Sequence, residues 1–358
     1  MKEQLKILAI NPGSTSTKIA VYSEKTVLFV ETINHSEKEL NNFETVQEQF
    51  LMRKDAVLKV LEDNNFNIKD LAAIVGRGGI LPPVKSGAYV VNDLMVDRLK
   101  NRPLVEHASN LGAIIAYEIS NNLGIPSYIY DSVAVDEMED IARISGMPEI
   151  ERISLSHALN MRAVAIKTAE KIGKLYTKSN FIVAHLGGGI SISVHERGKM
   201  VDIVSDDEGP FSPERAGRVP CRKLIELCYS GKYDKRTMQK KLRGNGGIKS
   251  YLGTHSTLEV EEKINAGDDK AVLIYEAMAY QVSKGIGELA TVVNGMVDRI
   301  IITGGIAHSQ MMTEWIKSRV EFIAPVEIMA GENELESLAL GTLRVLNGEE
   351  EAREYIEQ

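Results

Sequence analysis

One arrangement of strands and helices occurs twice in this chain, and each time its first two strands are joined by a turn of glycine or hydroxyl residues. In the first half, apolar runs predict strands over 5–10, 18–22 and 27–33 and a helical pattern over 42–63. A strand over 71–75, a helix between Ser109 and Gly124 and a strand over 127–130 complete that half. The second half begins again with strands over 181–186, 190–195 and 199–204. Helices follow, the longest over 268–294, then a strand over 299–303, a helix after Ser309, a strand over 322–328 and a last helix from Glu334. Three meandering strands followed by alternating helix and strand give a βββαβαβα pattern in each half, an α/β fold. A chain of 358 residues is too long for one comfortable core and suits two domains with a cleft between them. The expected boundaries are 1–152 and 153–335, with 336–358 packed back on the first domain.

The two turns are "NPGSTST" after the first strand and "LGGGIS" after the first strand of the second half. Glycine lets backbone N–H groups approach an anion closely, and serine and threonine add hydroxyl donors, so each turn is a candidate phosphate cradle. Either turn alone is also what a tight hairpin needs. Their duplication favours a nucleotide.

Composition removes other classes of function. The 44% hydrophobic and 26% charged fractions are those of a globular protein, and the formal charge of −8 argues against nucleic acid as a partner. The start "MKEQLKILAI" lacks the apolar core of a signal peptide, and no apolar run reaches the length of a membrane span. No membrane partner is expected, and the expected location is the cytoplasm. Cys221 and Cys228, the only cysteines, lack zinc or disulfide spacing and are expected as half-buried helix residues. No Walker motif, Rossmann fingerprint, H-E-x-x-H or G-x-S-x-G occurs.

The segments "INPGSTSTKIAVY", "VGRGGILPPV", "EHASNLGAIIA", "SHALNMRAVA", "HLGGGIS", "DEGPFSPERAG", "IIITGGIAHS" and "GENELESLALGTLRVL" span the chain in order. Together they resemble the butyrate kinases of the acetokinase family. That family belongs to the superfamily of acetate and sugar kinases, Hsp70 chaperones and actin. The resemblance implies two duplicated ribonuclease-H-like (actin-like ATPase) domains with an interdomain cleft, Mg²⁺ and ATP or ADP as ligands, and a homodimer or higher homo-oligomer. An apolar stripe of Tyr275, Met278 and Val282 is equally suited to a partner or to the core.

The resemblance also implies roles. Asn11 and Glu334 would serve the metal, with Glu332 and Glu336 as alternatives to Glu334. Mg²⁺ prefers oxygen ligands and keeps several waters, so one amide oxygen and one carboxylate suffice. Ser14, Ser16 and Lys18 would lie near the phosphates. His185, Gly187, Gly188 and Gly189 would form a β-phosphate loop, and Gly304 and Gly305 an adenosine loop. Arg77 would grip the acyl carboxylate and Arg215, or Arg218 in its place, the phosphoryl in transfer. Guanidinium forks match both groups bidentately. His157 and Asp131 would line the cleft, His157 near the phosphoryl and Asp131 orienting an arginine. Glu106 and His107 stand where acetate kinases carry another active-site histidine.

The implied reaction is ATP plus a short-chain fatty acid, butyrate or isobutyrate, giving ADP and an acyl phosphate by direct in-line transfer. Acetate kinases carry bulkier side chains at the positions matching Gly78 and Ser156, so room for a longer acid is expected there, beside Ile80, Leu81 and Pro213. A sugar kinase would need an aspartate base, for which Asp131 is the candidate. A non-catalytic nucleotide-dependent binding protein would leave the arginine pair without purpose.

Overall fold

A computed structural model describes residues 4–357. The chain divides into two compact units, Met1–Asp136 with Asn333–Gln358, and Glu137–Glu332. The division falls earlier than the expected 152/153 because Glu137 and Glu139 already bind a strand of the second unit. Met200 N donates to Glu137 Oε2 at 3.2 Å, and Glu139 N donates to Val201 O at 3.0 Å.

The first unit holds a seven-stranded sheet. Its strands are β1 (Lys6–Pro12), β2 (Ser16–Ser23), β3 (Thr26–Asn34), β4 (Leu71–Arg77), β5 (Ala88–Val90) and β6 (Ser127–Tyr130), with β12 (Arg353–Glu354) at one edge. The order is β12-β5-β6-β4-β1-β2-β3. The first three strands pair antiparallel, while β1 with β4 and β4 with β6 are parallel. Ile7, Leu8, Ala9 and Ile10 of β1 are all fully buried, as a central strand covered on both faces requires. The helix Asn110–Leu123 packs on β4, ending at Gly124 in the left-handed conformation, φ 68°. That contact is close: a Cβ on Gly76 would stand 2.1 Å from Gly112 O, so glycine is what lets the backbone beside Arg77 meet the helix. The helix Glu334–Leu346 lies on β1 and β4, with Gly341 against the Tyr130 ring.

The second unit repeats the core of that topology in a five-stranded sheet, order β11-β10-β7-β8-β9. The strands are β7 (Asn180–Leu186), β8 (Ile190–Glu196), β9 (Lys199–Val204), β10 (Arg299–Gly304) and β11 (Val326–Ala330). In each unit a meander of three strands is continued by parallel strands reached through helices.

Several expectations require correction. The helix expected over 42–63 begins at Phe50, after a short turn of helix at Gln47–Gln49. The strand expected from 322 begins at Val326, and Phe322 is exposed; Pro325 has no N–H to give a ladder. Cys221 and Cys228 lie on the helix Cys221–Cys228, but that helix has no buried residue and both thiols are exposed. Tyr275, Met278 and Val282 are fully buried in the second unit's core, so core packing accounts for their stripe. Among the described residues, no helix is long and apolar enough to cross a membrane.

Candidate active site

In the first unit the ends of β1 and β4 and the start of the helix Glu334–Leu346 bring Asn11, Arg77 and Glu334 together. Glu334 accepts from Arg77 Nη1 on one carboxylate oxygen and from Asn11 Nδ2 on the other. Arg77 Nη1 also lies 3.4 Å from Asn11 Oδ1, which fixes the orientation of the amide. Asn11 is buried, and the Arg77 and Glu334 side chains keep 23% and 21% of their surface, so the pair is partly shielded yet reachable. No group of three or more His, Cys, Asp or Glu side chains suited to a metal occurs among the described residues. A hydrated Mg²⁺ bound mainly through phosphates needs fewer protein ligands, and Glu334 beside the Asn11 amide is such a donor set. Glu332 belongs to the second unit, while Glu336 lies near Tyr22, whose hydroxyl pKa is raised by burial first and Glu336 second.

The hairpin between β1 and β2 closes with Gly13 N donating to Ser16 O at 2.7 Å. Ser14 and Lys18 are exposed and Ser16 half-buried; Lys18 lies directly opposite Asn11 in the strand register. Beneath the hairpin is a residue that sequence reasoning missed. Arg53, wholly buried, donates to the carbonyls of Gly13, Ser14 and Ser16 at 2.9 to 3.1 Å and to Thr17 Oγ1 at 3.1 Å. Its remaining donors reach Gln49 Oε1. Every one of these partners is neutral, and burial pushes the guanidinium pKa down to about 10, so it stays charged at neutral pH. A buried cation underneath a candidate phosphate turn offers both a brace and a positive potential.

Asp131 follows β6 with φ 42°, a left-handed conformation uncommon for a residue with a side chain. It is buried, and its Oδ1 accepts from Gly87 N at 2.7 Å. His107 places Nδ1 2.7 Å from Ser109 Oγ. Local burial and then the Arg77 guanidinium lower its pKa, although the residue keeps exposed surface. Glu106 is exposed. The room expected at Gly78 is absent: a Cβ there would meet Ser132 Cβ at 2.6 Å. Ser156 is buried, with its hydroxyl unpaired.

In the second unit the glycine turn after β7 and the turn after β10 border one cavity of about 610 Å³, lined among others by Gly187, Gly188, His255, Thr257, Gly305 and Glu332. Gly304 has φ 90°, and a Cβ there would stand 2.3 Å from Leu186 O, so this turn admits only glycine without rearrangement. At Gly305 nothing lies within 4 Å of an added Cβ. His255 and Thr257 were not anticipated; the small polar run "GTHST" before a helix was the available signal. Another cavity, about 530 Å³, is lined by Pro210, Val219, Pro220, Tyr280 and Lys284 among others and borders neither candidate phosphate turn.

His157 and His185 stack with ring centroids 3.9 Å apart and planes 9° from parallel. His157 Nδ1 is 2.9 Å from Ser191 Oγ, and His185 Nδ1 is 2.9 Å from Asn160 Nδ2. Arg215 pairs with Asp206, which Arg243 also approaches at 3.2 Å. Its guanidinium lies against Gly189. Arg218 instead pairs with Glu288 at 2.9 Å and lines the other cavity, which favours Arg215 at the glycine turn.

The model of the acetokinase family matches residues 153–338. The chain is 51% identical to butyrate kinase 2 of Clostridium acetobutylicum over 98% of its own length and 99% of that protein's. It is 50% identical to a probable butyrate kinase of Clostridium botulinum, over 98% and 99% of the two chains. Its fold is similar to that of Porphyromonas gingivalis acetate kinase, with a TM-score of 0.80 at 19% identity, covering 96% of this chain and 100% of the other.

Proposed function

The chain belongs to the acetokinase family, and from that premise we propose that it is a butyrate kinase, transferring the γ-phosphoryl of ATP to butyrate or isobutyrate to give ADP and an acyl phosphate, reversibly. The observation that carries this reading is the 51% identity to a butyrate kinase over nearly the whole of both chains, with Arg77, Asn11 and Glu334 gathered in one unit.

A fatty acid is already a carboxylate at neutral pH, its ordinary pKa being about 4 to 5, so the reaction needs no general base. The difficulty is bringing two anions together, which calls for positive charge and positioning. In this reading Arg77 holds the acid's carboxylate, while Arg215 and His157 meet the phosphoryl oxygens. Ser14 and Ser16, braced from below by Arg53, hold phosphates together with Lys18 and the turn His185, Gly187, Gly188 and Gly189. Gly304 and Gly305 receive the adenosine. Asp131 holds the backbone of Gly87 and orients the arginine side of the site. Mg²⁺, when bound by Glu334 and Asn11, supplies further positive charge to the phosphate oxygens. A reaction that consumes or makes ATP suits the cytoplasm, the location proposed for the enzyme. Leu273 and Tyr280, exposed on the helix Asp269–Ala290, suit a homodimer or larger homo-oligomer, to be tested by sedimentation.

Butyrate, ATP, Mg²⁺ and hydroxylamine incubated with the protein should yield butyryl hydroxamate. No hydroxamate above the enzyme-free control would refute the reading.

A further inference from the structure

Asn160 and Thr303 lie between the two turns of the second unit. Thr303 is fully buried, one residue before Gly304, and stands opposite His185 in the pairing of β10 with β7. Asn160, 4% exposed, sits in the first turn of the helix Ala158–Lys171. Asn160 Nδ2 is 3.1 Å from Thr303 Oγ1 and 2.9 Å from His185 Nδ1. The Thr303 hydroxyl donates its single hydrogen to Gly331 O at 3.3 Å.

We propose that Asn160 and Thr303 form a relay that holds His185 as its Nε2–H tautomer and thereby presents a donor to the phosphates of the nucleotide. With its hydrogen committed to Gly331, the Thr303 oxygen can only accept from Asn160, so the amide nitrogen, not its oxygen, faces the histidine. An amide NH₂ only donates, so Nδ1 must carry a lone pair, and the neutral ring bears its hydrogen on Nε2. That atom is buried and makes no aligned hydrogen bond within the protein, its nearest oppositely charged neighbour being Glu332 Oε1 at 2.9 Å. A buried donor left unpaired is costly, and an anion oxygen at the adjacent glycine turn would satisfy it. Stacking on His157 restricts rotation of the ring. Gly331 O also accepts from Gly304 N at 3.3 Å, so the relay begins at the turn that closes β10 and ends at the histidine of the other turn. Asn160 and Thr303 are thus positioning residues, acting through His185.

The inference rests on the nucleotide reading of these turns, but its test does not need activity. Ligand-free, full-length protein labelled with ¹⁵N-histidine, with His185 assigned by loss of its signals in His185→Gln, should show Nε2 protonated and Nδ1 bare at neutral pH in long-range ¹H–¹⁵N spectra. Asn160→Asp, which replaces the donor by an acceptor, should put a proton on Nδ1 and lower kcat/KM for ATP by about tenfold or more, while KM for butyrate changes less than about twofold. Thr303→Val, close to isosteric, should leave a mixture of tautomers and serves if Asn160→Asp does not fold. A proton on Nδ1 in the unaltered protein, or the same Nε2–H tautomer in both variants, would overturn the relay. An Nε2–H tautomer in a protein that forms no butyryl phosphate would leave the relay standing and refute the kinase reading instead.

Discussion

The Arg215 guanidinium fills the space in which a side chain on Gly189 would stand: an added Cβ would lie 2.2 Å from Nη1 and 2.5 Å from Cζ. Gly189 does not have the positive φ that demands glycine, so its role is to leave room. The obstacle is the end of a side chain, and Arg215 would yield before the backbone did. Gly189→Ala should therefore lower kcat by roughly ten- to a hundredfold, the range expected when a charge-assisted contact is misplaced, while the melting temperature changes little. Combining it with Arg215→Ala should give no further loss. Additive losses in that double variant would show that the glycine acts independently of the arginine.

Arg77 is held by Glu334 and lies close to Asn11, so removing it deprives the proposed site of its carboxylate grip. Arg77→Ala is expected to reduce kcat/KM by about a hundredfold or more, on the order of 3 kcal/mol, mainly through the fatty acid. Initial rates against butyrate at saturating ATP measure it. Unchanged kinetics would remove Arg77 from the site.

What the sequence discloses follows physical range. The helix Asn110–Leu123 is bounded by Ser109 and Gly124, local signals that can be read without knowing the fold. The strands Ser127–Tyr130 and Lys199–Val204 have the expected bounds because each apolar run ends at a polar residue, Asp131 and Ser205, although both of these remain buried. By contrast β5 spans only Ala88–Val90, too short to show alternation, and the helix Asp93–Lys100 beyond its Asn92 cap went unread with it. Arg53 looks like any helix-surface arginine until the fold turns it under a hairpin some forty residues away. Asn160 and Thr303 are likewise ordinary in sequence and acquire meaning only when the register places Thr303 beside His185. The space at Gly78 was misjudged for the same reason, since Ser132 comes from a distant segment.

Arg53→Met should destabilise the protein by about 2–4 kcal/mol, because the carbonyls of Gly13, Ser14 and Ser16 lose their donor in a buried setting. The loss of a cation beneath the turn should also raise KM for ATP more than KM for butyrate. Urea unfolding reports the first effect and steady-state kinetics the second. A stability change below about 0.5 kcal/mol would refute the bracing role.

His195 is fully buried between Tyr176 OH and Ser193 Oγ, each 2.8 Å away, and burial first, then Arg162, pushes its pKa down to about 3. The unfolded chain binds a proton at this histidine below about pH 6.5 while the folded chain does not, so stability falls as pH drops from there towards 3. The slope should approach 1.4 kcal/mol per pH unit inside that window, and the contribution is fully present above it. His195→Gln should be less stable at neutral pH but lose less on acidification. Equal slopes in denaturant titrations at pH 7 and pH 5 would show that this histidine is not the source.

Substrate length is the last expectation. Two extra buried methylenes, at about 0.8 kcal/mol each, should favour butyrate over acetate by about 1.6 kcal/mol, or around fifteenfold in kcat/KM. The structure changes how that selectivity can be altered. Gly78 was expected to leave space for the chain, but a Cβ there would meet Ser132, whose Oγ donates to Gly79 O at 2.7 Å. Gly78→Val should therefore strain this loop and lower the melting temperature without improving acetate relative to butyrate. Competition kinetics on the two acids, together with thermal unfolding of the variant, tests both parts. A kcat/KM for acetate equal to that for butyrate in the unaltered protein would refute the longer pocket, and a stable Gly78→Val that prefers acetate would restore Gly78 to its wall.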